Sequence, residues 1–266
     1  MRHDRLNFVK IATWNVNSLR VRLPHVLNWL TQTQPDVLCL QETKVIDEEF
    51  PLAAFENTGY IATYCGQKSY NGVATLARVA STECVAELAG APDVQKRFLA
   101  VTVNGVRVVN VYIPNGESVE SVKYAYKLEW LKALTGFLTQ ELKRYPRLVL
   151  LGDFNIAPEE QDVHNPKRWE GDVLFSEPER AAFRELIAGG LVDVFRRFEQ
   201  PEKSFTWWDY RLNGFARNWG LRIDHILCSP LLASECRGCH IDVEPRRAER
   251  PSDHVPVTAE FNIAQS

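Results

Sequence analysis

The chain has 266 residues, 45% hydrophobic and 24% charged, enough to bury a large core in one big domain or two small ones. No apolar stretch approaches the roughly 20 residues of a spanning helix, so no such helix is expected. The net charge of −3 counts against a uniformly basic nucleic-acid binder, although Lys167-Arg168, Arg196-Arg197 and Arg246-Arg247 with Arg250 form local basic groups. Each could rim an acidic pocket or be solvated surface. The start, Met1-Arg2-His3-Asp4-Arg5, has no apolar h-region or cleavage site, which reads as a cytoplasmic protein without a secretory signal.

In chain order, Phe8–Trp14 reads as a strand that ends in Asn15-Val16-Asn17. Leu19–Gln32 reads as a helix with Ser18 as its cap. Asp36–Leu40 is the second strand, followed by Gln41-Glu42-Thr43-Lys44. Tyr60–Cys65, Gly72–Ala77 and Phe98–Val103 are further strands. Asn104-Gly105 is a tight hairpin turn into Val106–Ile113, which runs on to Pro114-Asn115. Ser121–Lys143 is a long helix in which Tyr124, Leu128, Leu131, Leu134, Leu138 and Leu142 recur at steps of three and four, forming one buried face. Arg147–Leu151 is the seventh strand. Ala157–Phe175, polar and broken by Pro158 and Pro166, is a long loop of the kind that often carries function. Glu177–Ala188 is a third helix, with Ser176 and Glu179 at capping-box spacing. Phe205–Tyr210, Leu221–Leu227 and Val255–Phe261 complete the strands.

Some ten strands exceed one comfortable open sheet. Two packed sheets with helices outside would bury them, as a single domain over residues 1–266 with no linker. Of the six cysteines, Cys39, Cys65, Cys84 and Cys228 read as small core residues. Cys236-Arg237-Gly238-Cys239-His240 has the form of a c-type haem attachment, but that chemistry needs an exported chain. No set of four zinc ligands is evident, so these residues read as structural and no haem is expected.

Chemistry gathers at strand ends. Leu148-Val149-Leu150-Leu151 runs into Gly152-Asp153-Phe154-Asn155. In an extended strand Asp153 and Asn155 would project together; a plain turn explains the same residues equally well. Asn15, Glu42, Asn115, Asp224, Asp253 and His254 occupy comparable places, and six independent turns of this composition are less economical than one shared site. Glu42, Asp153, Asp224 and Asp253 with Asn15 and Asn155 are hard oxygen donors suited to Mg²⁺ or Mn²⁺. A His beside an Asp, with a second Asp to orient it, fits acid–base or charge-stabilising work. There is no phosphate-cradling Gly-rich loop and no serine elbow. The reaction class indicated is metal-assisted phosphoester hydrolysis by water.

Trp14-Asn15, Gln41-Glu42-Thr43-Lys44, Tyr112-x-Pro114-Asn115, Gly152-Asp153-Phe154-Asn155, Trp207-Trp208-Asp209-Tyr210-Arg211, Gly220-Leu221-Arg222-Ile223-Asp224 and Ser252-Asp253-His254 together resemble, in order and spacing, the exonuclease III family of apurinic/apyrimidinic endonucleases. The resemblance spans about Lys10 to Phe261. It implies the DNase I-like fold, a four-layered α/β sandwich of two packed sheets flanked by helices. It implies Mg²⁺-dependent hydrolysis of DNA 5′ to an abasic site, with 3′→5′ exonuclease or 3′-end-cleaning activity. The metal would be held by Glu42 with Asp253 and Asn15. Asp153 would handle the attacking water, with Asn155 orienting it or binding a second metal. His254, paired with Asp224, would stabilise the phosphate, and Tyr112 would contact it or assist the leaving oxygen. Asn115 would bind phosphate, Trp207 and Leu221 would wall the sugar pocket, and Arg211 would touch DNA. The partner implied is double-stranded DNA with abasic sites or 3′ ends, bound by a monomer associated with the nucleoid. Trp207 and Trp208 alternate, so only one can face a pocket. His25, His164 and His225 read as surface or core residues. A phosphatase or lipid phosphodiesterase on the same fold, and an inactive DNA-binding module, are the competing classes; the motifs particular to the repair branch and the complete ligand set count against them.

Overall fold

The computed structural model describes residues 6–264; the N-terminal segment read as lacking a leader lies outside them. Strands β1 (Leu6–Asn15), β2 (Val37–Gln41), β3 (Ile61–Cys65) and β4 (Val73–Ala77) come first, with α1 (Leu19–Thr33) after β1 and the short α2 (Leu52–Glu56) before β3. Next are β5 (Thr82–Val85), β6 (Phe98–Val103), β7 (Val106–Tyr112), α3 (Val122–Arg144) and β8 (Leu148–Asp153). The last part holds α4 (Pro166–Trp169), α5 (Glu177–Ala188), β9 (Val192–Asp193), β10 (Trp207–Trp208), β11 (Gly220–Leu221), β12 (Asp224–Cys228), α6 (Pro230–Glu235), β13 (Cys236–Ile241) and β14 (Val257–Ala264).

Two six-stranded sheets form, in the orders β13-β14-β1-β2-β4-β3 and β5-β6-β7-β8-β12-β9, with β10 and β11 as a separate ribbon. Ile11, Val37 and Cys39 of the first sheet meet Leu99, Val101, Val108, Val149, Leu151 and Ile226 of the second in the central core. Val26, Trp29, Leu30 and Phe55 cover the outer face of the first sheet. Trp130, Leu131, Leu134, Leu138, Phe183 and Leu186 cover that of the second. The result is the expected four-layered α/β sandwich. Strands β2 and β8 are buried on both faces, which is why they read as unbroken apolar runs. Each sheet holds one parallel pair joined through a helix: β1-α1-β2, with Asn15 level with Gln41, and β7-α3-β8, with Tyr112 level with Asp153. The carboxyl ends of four strands therefore open at one edge of the sandwich, where such folds place their sites.

Several details differ from expectation. Phe205–Tyr210 shrinks to the two-residue β10, and Leu221–Leu227 divides into β11 and β12. The edge strands β5 and β13 were not anticipated: β5 is exposed throughout, and β13 is the Cys-Arg-Gly-Cys-His-Ile segment, whose bulge at Cys236/Gly238 breaks its alternation. Cys236 and Cys239 are buried as structural thiols, whereas Cys84 is exposed on β5 and is not a core residue. Ser18 makes no side-chain cap; its N–H donates to the Glu42 carbonyl at 2.8 Å instead. Helix α3 buries Lys127 and Glu141 beside Tyr124, Trp130, Leu131, Leu134 and Leu138, while Leu128 and Leu142 are only half-buried. Asn104 and Gly105, both at positive φ, form the anticipated hairpin turn, and Ser176 with Glu179 forms the anticipated capping box.

Gly152 is required by close packing. At φ 142° a Cβ would lie 1.9 Å from the Val111 carbonyl oxygen on β7. Gly152→Ala should cost on the order of 1–3 kcal/mol from backbone strain alone, and more from the clash. Urea unfolding should show a clearly lowered midpoint; a wild-type midpoint would contradict this packing.

Candidate active site

Strand register assembles the site. Asn15 ends β1, Glu42 follows β2, Tyr112 ends β7 and Asp153 ends β8. Asp224 opens β12 directly opposite Asp153. His254 lies just before β14 and bridges to Trp207 of the ribbon. Six separated segments thus meet at one edge.

His254 Nδ1 lies 2.8 Å from Asp224 Oδ2, and its Nε2 lies 3.7 Å from Asp153 Oδ2. The Asn15 amide nitrogen donates to both Glu42 Oε1 and Asp153 Oδ2, each at 2.8 Å. Lys44 Nζ pairs with Glu42 Oε2 at 2.9 Å and donates to Asn17 Oδ1 at 2.6 Å. The Asn155 N–H donates to Asp153 Oδ1 at 2.9 Å. Asn155 itself is left-handed, at φ 51°, past the end of β8. The Asp153–Asn155 pair is therefore joined by an Asx-type turn and not by strand alternation.

Burial pushes the Asp153 carboxyl up to about 7; the Asp224 and Glu42 charges add to this, and His254 opposes it. Burial alone would lower the His254 pKa, but the Asp224 and Asp153 carboxylates outweigh it and raise it to about 10. Burial, then the Glu42 and Asp153 charges, keep the Tyr112 phenol well above its ordinary value, so it remains a proton donor. In the metal-free protein, His254 is an imidazolium at neutral pH. Its pairing contributes stability fully below about pH 6.5, the unperturbed histidine value, and that contribution fades as pH rises towards 10. Long-range ¹H–¹⁵N spectra at pH 7 should show both His254 ring nitrogens protonated; a neutral ring would contradict this arrangement.

One ligand atom each from Glu42, Asp153 and His254 lie within 4.8 Å of one another, a group able to hold a metal ion. With His254 committed to Asp224 and protonated, the two carboxylates are the donors suited to a hard cation. The other expected ligands are placed differently. Asn15 turns its nitrogen to the carboxylates, and its oxygen accepts the Asn17 N–H at 2.9 Å, so it acts as a donor here and not as an oxygen ligand. Asp253 accepts from Asn17 Nδ2 at 2.9 Å and from Trp207 Nε1 at 3.0 Å, outside that group. Asn155 accepts from Asn115 Nδ2 and donates to the Ile113 carbonyl, both at 3.0 Å.

The expected DNA-facing residues separate. Asn115 and Tyr112 line a cavity of about 630 Å³ with Arg97 and Lys123. Trp207 and Arg211 line a second, of about 660 Å³, with Trp169, Trp219 and Arg168. Trp208 is buried and Trp207 half-exposed, as alternation requires. Leu221 is fully buried with Ala157, Val163 and Phe175 and does not line the cavity beside Trp207. Arg211 is exposed and pairs with Asp209 at 3.0 Å. Arg196 is not free surface: it pairs with Asp162, and Arg197 donates to the Ala233 carbonyl. Gln41 is interior, linking Thr13 to Asn110 at 2.9 and 2.8 Å. His225 is a core residue whose Nε2 lies 2.8 Å from the Ile156 carbonyl. Sequence reasoning assigned no role to Arg97, whose guanidinium sits 4.6 Å from the Tyr112 ring centroid; a charge just ahead of an apolar strand is the one signal it offers.

Residues 12–254 match the endonuclease/exonuclease/phosphatase family. The chain is 38% identical over 270 residues to exodeoxyribonuclease III of Haemophilus influenzae, covering 95% of this chain and all of that one. It is similar to the structure of the 3′-5′ exonuclease NExo from Neisseria meningitidis, with 48% identity, a TM-score of 0.94, and 96% and 100% of the two chains covered. An AP endonuclease from Archaeoglobus fulgidus matches at 40% identity and a TM-score of 0.92, with the same coverage. With its strand-end site and this similarity over nearly its whole length, the chain belongs to the endonuclease/exonuclease/phosphatase family, in its exonuclease III branch.

Proposed function

We propose that this protein is a DNA-repair nuclease that hydrolyses DNA phosphodiesters with the aid of Mg²⁺, for which Mn²⁺ can substitute. The observation that carries the reading is the convergence of Glu42, Asp153 and His254 within 4.8 Å at the strand ends. Its substrates are duplexes with abasic sites, cut on the 5′ side, and 3′ ends that are blocked or recessed. The 3′-end reading has direct support in NExo, whose structure as a 3′ phosphatase bound to a product DNA hairpin has a TM-score of 0.94 and 47% identity with this chain. A monomer in the cytoplasm, at the nucleoid, completes the proposal, with residues 1–266 acting as a single domain.

Glu42 and Asp153 would hold the cation, which when bound would supply positive charge to the phosphate and acidify water. Asp153, buried at the end of β8, takes a proton from the attacking water. The Asn155 N–H fixes one of its carboxylate oxygens. The His254 imidazolium, oriented by Asp224, donates from Nε2 to a non-bridging phosphate oxygen. Tyr112, kept protonated, donates to the phosphate or to the leaving oxygen. Asn115, hydrogen-bonded to Asn155, offers its remaining amide proton to phosphate. Asn15 bridges the two carboxylates, and Asp253 steadies Trp207, whose exposed face meets the nucleotide. Arg211 reaches the backbone from the rim.

Incubation with Mg²⁺ and duplexes carrying an abasic site, a 3′ phosphate or an undamaged recessed 3′ end tests the proposal, and cleavage is expected. Asp153→Asn should lower kcat by about 10²–10⁴-fold, the range of general-base contributions, with DNA affinity little changed. Absence of cleavage on all three duplexes, or near-wild-type turnover by Asp153→Asn, would overturn it.

A further inference from the structure

Lys127 is fully buried on α3, and its charge takes no part in the chemistry proposed for this site. All three of its ammonium protons are committed. They go to the Asn115 carbonyl at 3.1 Å, the Asn155 carbonyl at 2.7 Å and the Glu179 carboxylate. Glu179 is itself locked by the capping box of α5 and by the Leu174 N–H at 3.1 Å. The Lys127 stem is pinned from above: a Cβ on Gly116 would lie 3.4 Å from its Cδ, so the turn after Asn115 packs onto the side chain.

The two carbonyls belong to loops from different strands, one after β7 and one after β8. Their residues are also joined through their side chains, Asn115 Nδ2 to Asn155 Oδ1 at 3.0 Å, and the Asn155 N–H holds Asp153 Oδ1. We propose that Lys127, anchored by Glu179, is a positioning residue that clamps the Asn115 and Asn155 loops together and so sets where the Asp153 carboxylate points. The inference rests on the hydrolase reading above for its kinetic consequence, but not for its structural one.

A buried ion pair is often purely structural and can be exchanged for apolar residues without loss. The same helix supplies the comparison: Arg107 and Glu141 form a second buried pair, 2.6 Å apart, remote from the site and contacting the Glu83 carbonyl. Lys127→Met with Glu179→Gln removes the clamp without leaving an unpaired charge. Arg107→Met with Glu141→Gln is the matched control, and both are compared at equal distance below their unfolding midpoints. Displacement of a catalytic group by about an ångström can cost about 100-fold. The clamp variant should lose roughly that much in kcat on a cleaved duplex, with KM little changed, while the control keeps its kcat. Hydrogen exchange at the Asn155 N–H gives a readout independent of substrate: it should accelerate in the clamp variant relative to global unfolding and stay unchanged in the control. Equal kcat and equal exchange in the two variants would overturn the inference. Accelerated exchange in a protein inactive on every duplex would instead uphold the clamp and count against the hydrolase reading.

Discussion

The carboxylates of Glu42, Asp153 and Asp224 share a space from which most water is excluded, with Asp153 and Asp224 each about 1% exposed. Like charges in such surroundings repel, and each loses hydration on burial. The protein answers with donors: an amide bridging Glu42 and Asp153, an imidazolium between Asp153 and Asp224, and the Lys44 ammonium on Glu42. These donors do not fully satisfy the group, since Asp224 Oδ1 is buried with no hydrogen-bond partner among the described residues and Asp153 is driven towards its neutral form. A site in that condition favours an added cation and is poised to take up a proton, the two properties that phosphodiester hydrolysis by water requires.

The fold creates this condition by symmetry of construction. Each sheet contributes one parallel pair with a helical crossover, so the carboxyl ends of β1, β2, β7 and β8 emerge on the same edge. Antiparallel β12 then brings Asp224 against Asp153, and the segment before β14 brings His254 against Asp224. Gly152 permits the close approach of β7 and β8 at that edge, and the Gln41–Asn110 bond holds the two sheets together just behind it. Strand register therefore brings the groups to one edge, and the loops after β7 and β8 set how Asp153 is held there.

Much of this was legible from residues alone. Apolar runs located the buried strands, and polar residues at their ends identified the site because nothing in a core explains them. The hidden parts have physical causes. Asp153 and Asn155 were read by strand alternation, but a side-chain turn after the strand ends sets their geometry. Leu221 was expected at a pocket wall from the family resemblance and the Arg196-Arg197 pair at a pocket rim or solvated surface; tertiary packing buries the first and pairs Arg196 with Asp162. Lys127 and Glu141 look like solvated positions on α3 because charge is seldom buried; their partners, Glu179 and Arg107, are 52 and 34 residues away and carry no local signal. Cys236–His240 was read as structural, as its buried thiols are, but its strand went unrecognised because an edge tolerates Arg, Gly and His that a central strand would not.

The crowded carboxylates should bind a divalent cation, and that binding should enable phosphodiester cleavage. The most direct measurement is titration of the metal-depleted protein with Mg²⁺, following thermal unfolding and cleavage of a recessed duplex in parallel. Both should rise over the same concentration range, and Glu42→Gln should shift both to higher Mg²⁺. Undiminished cleavage in excess EDTA, or an unfolding midpoint indifferent to Mg²⁺, would contradict the account.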